Sequence, residues 1–296
     1  MDGVLVIDKP EGPTSHDVVA VARRTLQMRR IGHTGTLDPL ATGVLALVVG
    51  QATRLSRFLT GATKGYDATI RLGVAMDTCD RAGEIVGEDE AAALAVTDTA
   101  LDKALDRFRG TFAQAPPPFS AKKIGGVRAY TLARAGRVVE SQAVEVTVLR
   151  LELVSRSRTR VTLRLEVSAG FYVRALAHDL GTALGCGAHL VSLLRYRSGA
   201  FTLADAIGLD LLVSDPAEAW TRLTPLERLL PEFPAVVLSE ADARRARHGN
   251  PVAAAALGGV TPDEAGFTRL VTSDGQLLGI AEAAHGAVLQ PVVVLN

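Results

Sequence analysis

Polar and apolar positions alternate over two stretches of the chain. Tyr66, Ala68, Ile70 and Leu72 are separated by Asp67, Thr69 and Arg71, and Val161, Leu163, Leu165 and Val167 by Thr162, Arg164 and Glu166. A period of two places every second side chain on one face, so both stretches read as strands with one buried side. Residues 4–7 and 44–49 are unbroken apolar runs, the signature of short buried strands. Elsewhere the period lengthens. Val18, Val19, Ala22 and Leu26 recur at helical spacing behind Thr14 and Asp17, a capping-box pattern, which predicts a helix over 15–28. After Gly170, Leu176, Leu180 and Leu184 repeat every four residues and predict a second helix.

A turn-rich stretch, Pro231-Glu232-Phe233-Pro234, divides the pattern. Beyond it lie strand candidates near 235–238, 268–272, 277–281 and 292–295, and a short helix capped by Ser239. The expected organisation is a domain over 1–231 and a small β-rich domain over 232–296, which suits a length of 296 residues. Strands outnumber regular strand–helix repeats, and no glycine-rich dinucleotide fingerprint follows a strand. The fold class expected is α+β, with a mixed, mainly antiparallel sheet.

Composition narrows the function. Hydrophobic residues make up 48% of the chain and charged residues 22%, which excludes wholesale disorder, collagen and coiled coil. The longest apolar runs fall far short of the ~20 residues of a membrane span. The first residues, MDGVLVIDKPEG, carry no basic flank followed by a long apolar stretch, so no secretory signal is expected. Cys79 and Cys186 cannot build a disulfide framework and have no metal-ligand spacing, and a reducing cytoplasm is the expected compartment. Net charge is zero, with 32 basic and 32 acidic residues, yet the distribution is uneven. Residues 14–74 hold 8 basic against 3 acidic side chains, 119–200 hold 13 against 5, and 76–118 between them hold 4 against 9. Such a distribution fits either two basic segments folded together into a positive cleft or charges dispersed over solvated faces.

The strongest chemical signal is GHTGTLDPLATG, residues 32–43. Its single carboxylate, Asp38, precedes Pro39. Proline pushes the preceding residue into extended backbone and fixes the φ that follows, so Asp38 sits on a chain with little freedom. Small neighbours let another chain approach. This is a mounting for one reactive carboxylate, although an Asp-Pro turn with a structural hydrogen bond explains the same residues.

That stretch resembles the signature of the TruB family of tRNA pseudouridine synthases. In the same order, KGYDATIRLG (64–73), AMDTCDRAG (75–83), PPPFSAKKIGG (116–126) and SAGFYVRALAHDLG (168–181) resemble the family's other motifs, and residues 232–296 resemble a PUA domain, an RNA-binding β-barrel. The resemblance runs over essentially the whole chain. It implies an isomerase that converts uridine to pseudouridine in the T loop of tRNA, at position 55, with no cofactor and no metal. The implied partner is the tRNA T stem-loop, engaged by a monomer with no membrane association.

The resemblance also implies roles for residues. Asp38 acts on the ribose, either attacking C1′ or taking a proton from C2′. Arg174 is its ionic partner, since a guanidinium favours the charged form of a carboxylate that burial would protonate. The target base must leave the stack. Tyr66 stacks on it and is placed to help remove the C5 proton, and Tyr172 lines the same pocket. His33 meets the RNA where the base has left. Lys9 matches the family's N-terminal Asp-Lys-Pro and is counted with the substrate-binding residues, Lys64 and Lys123 are the implied phosphate or pocket contacts, and Asp80, with Asp77, orders a substrate-side loop. Arg244, Arg245 and Arg247, on one short helix of an otherwise acidic segment, mark where the small domain would touch RNA. Rival readings are a pseudouridine synthase with another RNA target, a guide-RNA-dependent synthase of archaeal type, and a protein that folds or holds tRNA without modifying it. Bound RNA alone needs no carboxylate facing phosphates, so the set Asp38, Tyr66 and Arg174 disfavours the last.

Overall fold

The computed structural model describes residues 2–117, 142–253, 266–284 and 288–295, with the backbone of 123–124 and 127–128. The main sheet is built from β1 (Gly3–Lys9), β2 (Ile31–His33), β3 (Ala41–Val49), β4 (Lys64–Leu72), β5 (Gly110–Gln114), β6 (Val144–Ser157), β7 (Arg160–Val167), β8 (Ala188–Ser198) and β9 (Ile207–Gly208). Its order is β9-β1-β3-β8-β4-β7-β6-β5, with β2 beside β3. Among these pairs only β9 with β1 and β3 with β8 run parallel. The sheet is therefore mixed and mainly antiparallel, as the alternating pattern predicts.

Helix α1 (Ser15–Thr25) carries the expected capping box: the Thr14 hydroxyl accepts from the Asp17 amide, and the Asp17 carboxylate accepts from the Thr14 amide. It stops short of residue 28 because Gln27 takes a left-handed φ of 52°. Helix α2 (Val173–Leu184) buries Leu176, Ala177 and Leu180 on the sheet face that holds Ile70, Leu163 and Leu165.

Residues 4–7 of β1 and 44–49 of β3 are unbroken apolar runs because both faces of these strands are buried. Leu5, Ile7, Leu45 and Leu47 face the helices. Val4, Val6, Val44, Ala46 and Val48 face the other way, onto Leu229, Leu230, Phe233, Leu277, Ile280 and Leu295. Edge-to-face contacts of Phe58 with Phe233 and Phe267 extend this layer. The C-terminal segment is thus fastened to the back of the main sheet.

That segment contains β10 (Ala235–Val237), α3 (Glu240–Arg247), β11 (Val252–Ala253), β12 (Phe267–Val271), β13 (Leu277–Ala284) and β14 (Val288–Val294). Ser239 caps α3 as expected. The strands run in the order β10-β12-β13-β14-β11. This corrects the expectation of a barrel: among the described residues the sheet stays open, since edge strands of three and two residues do not pair with each other.

Candidate active site

The segment between β2 and β3 is held from three sides. Buried Leu37 and Leu40 anchor it in the core. Ser15, the first residue of α1, clasps its backbone: the Ser15 hydroxyl accepts from the Leu37 amide at 2.7 Å and donates to the Leu37 carbonyl at 3.1 Å. Arg195 of β8, only 2% exposed, donates to the carbonyls of Val44 at 2.7 Å, Gly35 at 3.1 Å and Thr36 at 3.5 Å. One side chain thereby ties both ends of the loop to the central strand. Gly43 allows the approach. It has φ +98°, and a Cβ there would lie 2.3 Å from the Arg195 carbonyl oxygen.

Asp38 meets Arg174, although 136 residues separate them. Nε of Arg174 lies 2.9 Å from one carboxylate oxygen, and Nη2 donates to the other at 3.2 Å, a two-point fork. Arg174 is the second residue of α2, where the helix dipole disfavours a cation. Carboxylates offset this on both sides, since Nη1 also lies 3.6 Å from Asp80 and donates to the Thr78 carbonyl. Asp80 is buried and fixed by the Thr78 hydroxyl at 2.8 Å and the Ala82 amide at 3.0 Å. The Arg174 side chain is 7% exposed and that of Asp38 35%, so the acid keeps an open side. Burial pushes the Asp38 carboxyl above its ordinary 3.8; Arg174 and Lys9 pull it back, and Asp80 adds to the rise. Arg174 therefore limits a rise that burial causes, rather than holding the group below its usual value.

Asp38 and Arg174 open into a cavity of about 250 Å³, walled by Tyr66, Tyr172, Phe171, Leu193, Lys64 and Arg195. Tyr66 points there because strand alternation puts it on the buried face of β4, between Leu165 of β7 and Arg195 of β8. Tyr172 caps α2, and Gln114 at the end of β5 locks its backbone: the Gln114 amide nitrogen donates to the Tyr172 carbonyl at 3.1 Å, and the Gln114 oxygen accepts from the Tyr172 amide at 2.8 Å.

The remaining expected residues divide by location. Lys64 lines the cavity. Lys9 is fully buried behind it, with Nζ on the carbonyls of Pro10 at 2.7 Å and Pro39 at 3.4 Å, and Asp80 stands behind Arg174. Both are placed to brace the Asp38 loop, away from the cavity wall. His33 lies outside the cavity, in an open groove with Arg23, Arg29 and Arg30. Its Nδ1 accepts from the Gly35 amide at 3.3 Å, and burial with the Arg195 charge lowers its pKa, so the ring is neutral at pH 7. The Lys123 side chain and most of 116–126 lie outside the described residues. Among the described residues no cluster of three His, Cys, Asp or Glu side chains is arranged to hold a metal, and no helix is long and apolar enough to cross a membrane.

Sequence reasoning did not find Arg195, Gln114 or Ser15. Nothing local marks them. Arg195 alternates only with Arg197 after an apolar stretch, and Gln114 and Ser15 matter only through partners 58 and 22 residues away.

Three family models match in succession: the TruB family pseudouridylate synthase N-terminal domain over 23–173, the tRNA pseudouridylate synthase B C-terminal domain over 174–231, and the pseudouridine synthase II TruB C-terminal domain over 234–295. The chain is 44% identical to tRNA pseudouridine synthase B of Solibacter usitatus, covering 100% of both chains. It is 44% identical to that of Burkholderia pseudomallei over 98% of this chain and 96% of the relative. Among solved structures, it is similar to a chain of a Cbf5-Nop10-Gar1 complex, with a TM-score of 0.73 and 26% identity over 99% of this chain and 85% of the other. A chain of an H/ACA RNP bound to a substrate RNA containing 2′-deoxyuridine gives 0.72 and 25% over the same shares.

Proposed function

The chain belongs to the TruB family of pseudouridylate synthases and isomerises uridine to pseudouridine in tRNA; from that premise we propose that it acts at position 55 of the T loop, as a monomer, with Asp38 as the reacting carboxylate. The observation that carries this reading is the Asp38–Arg174 fork at the mouth of a small cavity walled by two tyrosines. A cavity of about 250 Å³ suits one base and its sugar. It cannot admit a helical stem, so the uridine enters everted.

Tyr66 and Tyr172 offer faces for the base, and stacking contributes about 1–3 kcal/mol. Asp38 then meets the ribose. Attack at C1′ gives a covalent adduct and proton abstraction at C2′ gives a glycal; both start from the ionised carboxylate and both break the C1′–N1 bond. The freed uracil turns, C1′ bonds to C5, the C5 proton leaves, and N1 gains a proton, so no external oxidant or phosphate donor enters the balance. Arg174 keeps Asp38 ionised in a place where burial favours the neutral acid. Asp80 keeps Arg174 in place.

Asp38→Asn tests the assignment on unmodified tRNA. Pseudouridine, mapped by carbodiimide-dependent primer-extension stops, is expected at position 55 with the wild type and absent with the variant, while tRNA binding persists. Turnover by the variant would remove Asp38 from the mechanism, and a stop elsewhere would remove the T loop.

A further inference from the structure

Asp80 lies in the turn of a hairpin, Val74–Met76 against Ile85–Glu88, whose second strand is exposed along its whole length. Such a hairpin packs on little and has few contacts of its own to hold it still. Yet Asp80 is buried, and it backs Arg174 at 3.6 Å. What fixes it is β8, at the end that β3 does not reach. β3 pairs with Leu193, Leu194 and Arg195. Below them the turn takes the free edge: the Leu190 amide donates to the Cys79 carbonyl at 3.0 Å, and the Arg81 amide to the Leu190 carbonyl at 3.0 Å. Asp80 and Leu190 thus face each other as a bridge.

These backbone bonds hold the middle of the turn. Its root is held by one side chain. Ala188 and Leu190 face the core, so alternation puts His189 on the other face of β8, opposite Arg71. His189 is 5% exposed, and its Nδ1 lies 2.8 Å from the buried carbonyl of Val74. A carbonyl only accepts, so Nδ1 carries the proton. Burial holds the ring's pKa below its ordinary 6.5, and at pH 7 Nε2 is a bare acceptor. His189 does not line the cavity. Its one N–H joins β8 to the residue from which the Asp80 hairpin starts.

We propose that His189 is a positioning residue for this reaction: by tying Val74 to β8, its Nδ1–H keeps the Asp80 turn where Asp80 can brace Arg174 against Asp38. The inference goes beyond the assignment of Asp38 and rests on it. His189 touches neither the acid nor its cation. It acts through the Val74 carbonyl, the turn and Asp80, so its loss slows turnover without removing any group from the cavity wall.

The test compares His189→Leu, His189→Asn and His189→Gln with the wild type on unmodified tRNA, in single-turnover rate, dissociation constant and melting temperature. The Asn nitrogen stands where Nδ1 stands and donates to Val74; the Gln nitrogen stands where Nε2 stands and does not. Loss of the bond is expected to slow Leu and Gln about tenfold, with dissociation constants within twofold of wild type, while Asn stays within threefold in rate. Equal rates in Asn and Gln overturn the role, as does a loss confined to binding. Should His189→Leu not fold, the comparison of Asn with Gln decides alone. A second arm adds His189→Leu to Asp80→Asn, where the link to Arg174 is already cut. The added loss is expected to stay within twofold, and a full tenfold loss overturns the route through Asp80. Asp38→Asn is assayed first. Turnover by Asp38→Asn removes the functional reading; no turnover, together with an unchanged rate in His189→Leu, removes only the positioning role.

Discussion

Replacing Arg174 by methionine removes the cation between two carboxylates while keeping an unbranched side chain in its place. Arg174 makes two charge-assisted contacts to Asp38, at 2.9 and 3.2 Å. Such bonds contribute about 1.5–3 kcal/mol each. The Asp38 side chain is about a third exposed, so water replaces part of that, and the low end, about 3 kcal/mol in total, is the better figure. It corresponds to a rate loss of about 150-fold near pH 7. The pH profile should change as well. Asp38 acts ionised, so activity falls as pH falls through its pKa, which burial already places above 3.8. Without Arg174, burial and Asp80 oppose ionisation with only the smaller pull of Lys9 against them, and the acid limb moves to higher pH. Single-turnover release of tritium from tRNA carrying [5-³H]uridine, followed across pH, reads both effects. Arg174→Lys keeps the charge without the fork and should fall between wild type and Arg174→Met. If folded Arg174→Met retains a rate within threefold of wild type and the same acid limb, the electrostatic role given to Arg174 is wrong.

Other variants probe the supports of the site. Gln114→Leu strands the Tyr172 backbone groups and should cost about 1–3 kcal/mol, seen as a lower melting temperature together with a raised KM for tRNA; a change in neither would show that the clamp is idle. Gly43→Ala puts a Cβ 2.3 Å from the Arg195 carbonyl at a φ of +98°, and should abolish activity, with strain of about 1–3 kcal/mol visible in urea titration. Ile280→Ala opens the layer shared with β1 and β3, and should lower stability by about 2–5 kcal/mol. Trp220, half-buried against the main core, should report the same reduced midpoint by fluorescence as circular dichroism does; separate midpoints would mean that the two sheets melt apart.

Much of this architecture was legible because its signals are local. Alternation in β4 and β7 identified the strands and the face on which Tyr66 lies. The capping box identified the start of α1, and Asp38-Pro39 the rigid loop. Function was legible through ordered motifs, which also named Arg174. Bringing Asp38 and Arg174 together, however, depends on strand order, which no short window encodes. β8 escaped notice for a related reason: Arg195 and Arg197 interrupt its apolar pattern, and they are tolerated there because carbonyls of the Asp38 loop and Glu166 receive them. The barrel was expected from resemblance alone, and the number and length of strands do not reveal whether a sheet closes.

The β3–β8 junction has one last consequence. β1 and β3 are stitched at seven positions and β8 and β4 at nine, but β3 and β8 at only three, Ala41, Thr42 and Gly43 against Leu193, Leu194 and Arg195. Backbone pairing is thus narrowest along that line, and the three carbonyl contacts of Arg195 reinforce it from the β8 side. Asp38 lies on the β3 side, while Tyr66 lies on β4 and α2, which carries Arg174, packs on β8. Parting the line by a few tenths of an ångström would separate the acid from its cation, so mild heating or dilute urea is expected to silence the enzyme before circular dichroism registers unfolding.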